Sequence, residues 1–186
     1  MAETSRDTLG EGAYFRREDY VGLARRMAIL AVDLMVLIVL FFVIGIVVLS
    51  VTDISDEQFS LLFGVISWLY LSVLKASRIR TVGYWLLDAR IVNLKGETPS
   101  VFRMTFRFLL CLFGPFSFIF DLLWVSTDDH KQTLRDRFSG TCVIRRHAEP
   151  AGRAAIRLVS YNALGFNLTY PQVMTPKGAA AAGTGT

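Results

Sequence analysis

Between Met27 and Leu49 the chain carries a single charged residue, Asp33, in an otherwise apolar run. A helix needs roughly 20 apolar residues to cross about 30 Å of hydrocarbon, so this run reads as a membrane span. It is longer than a signal-peptide core and no small-residue cleavage pattern follows it, so it is expected to remain as an anchor. Phe59 to Leu74 has no charge at all and suffices for a second span once tilt and flanking residues are counted. Phe108 to Val125 has only Asp121. With 53% apolar residues and a mean hydropathy of +0.43, the chain is too apolar for an ordinary soluble domain.

Charge sets the expected orientation. Arg25 and Arg26 precede the first span, and Lys75, Arg78 and Arg80 follow the second. The loop between them has Asp53, Asp56 and Glu57 and no Lys or Arg. The positive-inside rule then places both ends of this hairpin in the cytoplasm, with the N-terminus, and the acidic loop outside. The net charge of +4 is explained by these flanks. The basic residues are not interleaved with stacking aromatics, so no nucleic-acid partner is expected.

The third apolar segment admits two readings. Residues 101–126 are interrupted by Gly114-Pro115, which removes a backbone donor and disfavours a straight helix. A kinked crossing would carry Lys131, Arg135, Arg137, Arg145 and Arg146 to the outer side, against the positive-inside rule. A re-entrant hairpin keeps them inside, where Gly140 to Ile144 could pair with the alternating segment around Arg90-Ile91-Val92. Its arms of about 11 to 13 residues would span only half a bilayer and need burial against protein. Lys95-Gly96 supplies a turn, and Thr98-Pro99 fits an N-cap followed by proline in the first helical position.

The expected architecture is an all-α membrane protein: two transmembrane helices, a third segment that is a re-entrant hairpin or a kinked span, and a small cytoplasmic β element. The membrane domain covers residues 20–146, with spans at about 27–50, 59–75 and 105–126. Residues 1–19 are expected as a mobile tail and 147–186 as a partly disordered extension. Within that extension, Arg153 to Phe166 is read as a short amphipathic helix or an irregular docking segment.

Asp33 sits about two turns inside the first span, where a carboxylate costs a few kcal/mol unless paired, hydrated or protonated. Arg26 precedes it by seven residues, on nearly the same face but roughly 10 Å away along the axis. Each therefore calls for a partner from another helix.

Three blocks now stand out: Gly22-Leu23-Ala24-Arg25-Arg26 through Asp33, Thr81-Val82-Gly83-Tyr84 through Val92, and Gln132-Thr133-Leu134-Arg135-Asp136-Arg137 through Thr141. Together they resemble the signature blocks of RDD-family membrane proteins over about residues 20 to 146. The arginine and two aspartates that name the family match Arg26, Asp33 and Asp136. The chain departs from the pattern at Tyr84, where a basic residue is usual, and at Arg135, where histidine is common. The resemblance implies a membrane protein, with some relatives linked to ion or solute movement.

Arg103 and Arg107 are like charges at i, i+4 and should repel unless carboxylates lie nearby. Arg107 is expected to approach Asp33, and Asp136 to meet Arg26 or Arg103. Such a network could fix helix register and topology, or relay protons or ions; Asp121 could sit near headgroups or line a polar path with Asp33. Ser60 and Gly64 form a small-residue face with Ser67 one turn on, and Ala24 with Ala28 a second, for packing the first two helices or for homo-oligomerisation.

Cys111 and Cys142 read as packing residues in a reducing compartment. His130 and His147 are near no cysteine pair, so no metal site is expected. No phosphate-cradling glycine loop, nucleophile elbow or metalloprotease helix occurs, so neither a cofactor nor enzymatic activity is expected. Two functions stay in view, each in the inner membrane with the bilayer as partner. One is an oligomeric ion or small-solute transporter. The other is an accessory or assembly subunit of a larger membrane complex.

Overall fold

The computed structural model describes residues 8–51, 54–112, 132–163 and 166–174. Helix α1 (Leu23–Val51) is followed by α2 (Asp56–Trp68), which continues as a π-helical turn, Leu69–Leu74. Ser55 starts α2 through a capping box: its Oγ accepts from the Gln58 N–H at 3.3 Å, and Gln58 Oε1 accepts from the Ser55 N–H at 3.1 Å. Leu23–Val48 and Asp56–Leu74 are long and apolar enough to cross a membrane. Only 6% and 11% of their most apolar stretches are buried, where the core helix of a soluble protein would be mostly buried. The two helices meet through edge-to-face contacts of Phe41 with Phe59 and Phe63, at centroid separations of 5.3 and 5.0 Å.

At the N-terminal end of α1 the chain builds a β layer. Strands β2 (Ala89–Asn93) and β3 (Thr141–Arg145) pair antiparallel, with Arg90 opposite Ile144 and Val92 opposite Cys142. This is the pairing that their alternating sequence suggested. Tyr20 bridges to Ile144, and the Val21 N–H donates to the Val143 carbonyl at 3.0 Å, so the residues just before α1 dock on β3. Alternation puts Val92, Cys142 and Ile144 in one core cluster with Phe15 and Tyr20. Ala89, Ile91 and Val143 fall in the other, with Ile29 of α1, Tyr84 of α3 (Val82–Leu86) and Met104 of α4 (Val101–Leu112). The cap of α4 is Ser100, whose Oγ accepts from the Arg103 N–H at 3.4 Å, two residues later than Thr98-Pro99 suggested.

Three expectations are corrected. Residues 11–14, read as part of a mobile tail, form β1 (Glu11–Tyr14), paired with β4 (Gly152–Ala163). Arg153 to Phe166, read as a helix or irregular segment, belongs to a long hairpin of β4 with β5 (Phe166–Val173), giving a sheet ordered β1-β4-β5. Ile156, Val159 and Tyr161 are β-branched or aromatic residues, which fit a strand better than a helix. The molecule is therefore mostly helical with small sheets, not all-α, and the extension after residue 147 carries a sheet. The hairpin is tied to α5 (Leu134–Ser139), where Arg137 donates to the Tyr170 hydroxyl with its guanidinium over the ring. Gly114, Pro115 and Asp121 lie outside the described residues, as does the choice between a hairpin and a kinked crossing.

Gly12 marks a tight approach in the β layer: a Cβ there would stand 2.8 Å from the Leu94 carbonyl oxygen and 2.5 Å from Val173 Cγ2. Gly12→Ala is expected to lower stability by about 2 kcal/mol through overpacking, read as a fall in thermal midpoint in detergent.

Candidate functional site

Asp33 is 1% exposed on α1 and is surrounded by donors. Its Oδ1 accepts from the Tyr70 hydroxyl at 3.1 Å and the Gly83 N–H at 2.9 Å. Its Oδ2 accepts from Thr81 Oγ1 at 2.9 Å and pairs with Lys75 Nζ at 3.3 Å. The π-helical turn brings Tyr70 to this carboxylate, and Lys75 follows at its end. Gly83 is dictated by space: a Cβ would lie 2.6 Å from the Ile29 carbonyl oxygen and 2.8 Å from Asp33 Oδ1. Lys75 Nζ also lies over the Tyr84 ring, 5.3 Å from its centroid. A carboxylate inside a span is thus compensated by one ammonium and three hydrogen-bond donors, which offset its loss of water.

The second centre forms where α5 begins. Thr133 and Asp136 make a reciprocal capping box: Thr133 Oγ1 accepts from the Asp136 N–H at 3.1 Å, and Asp136 Oδ2 accepts from the Thr133 N–H at 3.2 Å. Asp136 is fully buried. Arg26 Nη1 of α1 donates to Oδ2 at 2.5 Å. Arg107 Nη1 of α4 lies 2.6 Å from Oδ1 as an ion pair without hydrogen-bond alignment, and donates to Thr141 Oγ1 at 3.1 Å. Burial pushes the Asp136 carboxyl up, but the Arg107 and Arg26 guanidiniums and the Thr133 N–H hold it down at about 2. Burial, with Asp136 nearby, raises the neighbouring Cys142 thiol to about 12, so it stays protonated and unreactive.

The structure redistributes the expected pairs. Arg107, expected at Asp33, serves Asp136, and the cation at Asp33 is Lys75. Arg107 follows α4 toward α5, whereas Lys75 arrives at the end of the helix that already supplies Tyr70. Asp136 does meet Arg26; Arg103 instead donates to the Gly140 carbonyl at 3.3 Å. The two arginines of α4 thus reach different acceptors.

The Ser60 and Gly64 face does not pack α2 on α1: both residues are exposed, and a Cβ on Gly64 would meet nothing within 4 Å. Ser67 is half-buried, Ala28 half-buried and Ala24 exposed.

Sequence reasoning passed over Lys75, Tyr70, Thr81 and Gly83 as partners of Asp33. A readable signal existed for the other centre, because Thr133-x-x-Asp136 is a capping-box pattern. A cavity of about 110 Å³ lies between the centres, lined by Arg26, Lys75, Tyr84, Arg107 and Arg135 together with apolar residues of α1.

The Asp136 carboxyl, held near 2 against an ordinary 3.8, stabilises the fold above pH 4 by about 2 kcal/mol. That contribution fades as pH falls from about 4 toward 2. Asp136→Asn, which leaves two guanidiniums facing an amide, should lower the thermal midpoint at neutral pH and flatten the acid limb of its pH profile. Gly83→Ala should lower the midpoint as well, by pushing α3 off α1, with no change in that profile.

A family model described as the RDD family matches residues 20–140, well over half of the chain, and includes Arg26, Asp33 and Asp136. No curated protein and no solved structure gives a significant match.

Proposed function

The chain belongs to the RDD family, a family of membrane proteins for the most part, and from that premise we propose that it is an oligomeric ion or small-solute transporter of the cell membrane. The carrying observation is the Asp33–Lys75 pair, a carboxylate and an ammonium 3.3 Å apart within the apolar part of the fold. The cation here is a compact ammonium on a flexible stem, whereas the Asp136 cluster is held by planar guanidiniums. A proton or small cation reaching Asp33 would compete with Lys75 for the same carboxylate oxygen. The cavity that Lys75 shares with Arg26 and Arg107 gives the displaced ammonium room and a route toward the second centre.

The two spans among the described residues cannot enclose a pathway by themselves, so transport in this reading needs further copies. The open Ser60–Gly64 face is where close helix approach costs least. Charge bias places the N- and C-termini in the cytoplasm of a multi-pass protein. No catalytic step is assigned to it.

The rival reading is an accessory subunit of a larger membrane complex, and one observation favours it. Asp33 is saturated by internal partners, as a clasp that fixes helix positions would be. The β4–β5 hairpin would then be a docking element, presenting exposed Leu158 and Met174.

Reconstituted vesicles with an imposed pH or cation gradient test the transport reading. Wild-type protein is expected to dissipate the gradient, and Asp33→Asn and Lys75→Met each to slow it at least about tenfold, the loss of a charge-assisted contact. Flux that both variants leave intact would remove the relay. A heteromeric complex recovered in mild detergent, without flux from the isolated chain, would favour the accessory role.

A further inference from the structure

A second, larger cavity of about 520 Å³ shares Lys75 and Tyr84 with the first. Lys75, Arg78, Arg80, Arg90 and Arg146 line it, drawn from the end of α2, the link to α3, strand β2 and the turn after β3. Glu97 is the one carboxylate among the described lining residues. Asp88 acts on Arg80 from nearby but also faces His147 at 3.9 Å. Lys75 is paired with Asp33, so the four guanidiniums stand against Glu97 and Asp88 among the described residues.

The guanidiniums are incompletely satisfied. Arg80 makes no hydrogen bond or ion pair among the described residues. Arg90 donates from Nη2 to the Ala148 carbonyl at 2.7 Å, while its Nε is buried without a partner. Burial, then the like charges of Arg146 and Arg90, push the Arg80 pKa below its ordinary value. Arg80 also holds φ 66°, a left-handed conformation uncommon for a residue with a side chain. Glycine would make that turn without strain. An arginine there adds both strain and repulsion, which a bound anion would offset.

What borders the cavity in sequence is apolar. Ile79 is 74% exposed, and Val82, Trp85 and Leu86 form one exposed face of α3 at i, i+3 and i+4. The opposite side of α3 carries buried Gly83 and Tyr84 and packs on α1. This face follows directly on a membrane-spanning helix, where tryptophan and apolar side chains suit the headgroup level and basic pockets meet anionic lipid.

We propose that this cavity binds the phosphate of an anionic phospholipid, with Arg80, Arg90 and Arg146 around its oxygens and the apolar face of α3 against the adjoining bilayer. Guanidiniums match phosphate oxygens in bidentate geometry. The volume admits a headgroup larger than one phosphate. The site shares Lys75 with the Asp33 centre, but Arg80, Arg90 and Arg146 belong to neither carboxylate centre, so it stands with either functional reading.

The full chain, purified in detergent and stripped of lipid, is titrated during thermal unfolding. Three probes are used: short-chain phosphatidylglycerol, phosphatidylcholine of the same chain length, and inorganic phosphate. Phosphatidylglycerol is expected to raise the thermal midpoint saturably, and the other two to leave it unchanged. Arg146→Gln, in an exposed turn, should weaken the apparent affinity for phosphatidylglycerol about tenfold. Arg80→Gly should weaken it similarly while leaving the lipid-free midpoint unchanged or higher, since the strain is relieved. An equal rise with phosphatidylcholine would overturn the anion site. An equal rise with inorganic phosphate would assign the cavity to a soluble anion and overturn the lipid. Undiminished phosphatidylglycerol affinity in both variants would place the lipid elsewhere and overturn the proposal.

Discussion

The contact between Arg26 and Asp136 closes the molecule. It joins residues 110 positions apart, the start of α1 and the start of α5, through a 2.5 Å charge-assisted hydrogen bond on a fully buried carboxylate. Arg107 brings α4 to the same group, and the Thr133 capping box fixes the short helix that presents it. A fully buried carboxylate is tolerable only because each of these partners is present, and removing one leaves a buried charge uncompensated. Much of the β layer follows from that closure, since β3 begins two residues after α5 ends.

Asp33 does for α1, α2 and α3 what Asp136 does for α1, α4 and α5. The two centres differ in chemistry more than in form. Asp136 faces two planar guanidiniums. Asp33 faces an ammonium on a flexible stem, a phenol, a hydroxyl and a backbone N–H. Two carboxylate centres thus share one helix, with a basic cavity between them. Lys75 also lines the larger basic cavity, so an anion bound there would act on the Asp33 pair through a single side chain.

Much of the architecture was legible in local pattern. The apolar runs gave two helices long enough to span, and the segments around Ile91 and Val143 suggested the strand pair whose register the structure supplies. The hairpin of β4 and β5 was not legible. Locally the β4 run reads as a helix or an irregular segment, and β1 lies in a polar stretch whose partner is far along the chain. Strand identity there depends on a neighbour, which no local window contains.

By itself the sequence determined that this chain has two segments long and apolar enough to cross a membrane, that Asp33 is a costly charge within the first, and that Asp33 and Arg26 each need a partner beyond their own helix. Apolar length and desolvation energy are properties of a segment, so a segment suffices to read them. Which cation meets which carboxylate was decided only by the tertiary structure. The π-helical turn before Lys75 and the side-chain-free approach of Gly83 give Asp33 to Lys75, leaving Arg107 for Asp136. Pairing of charges is set by ångström-scale helix positions, and those are fixed by packing between elements far apart in the chain.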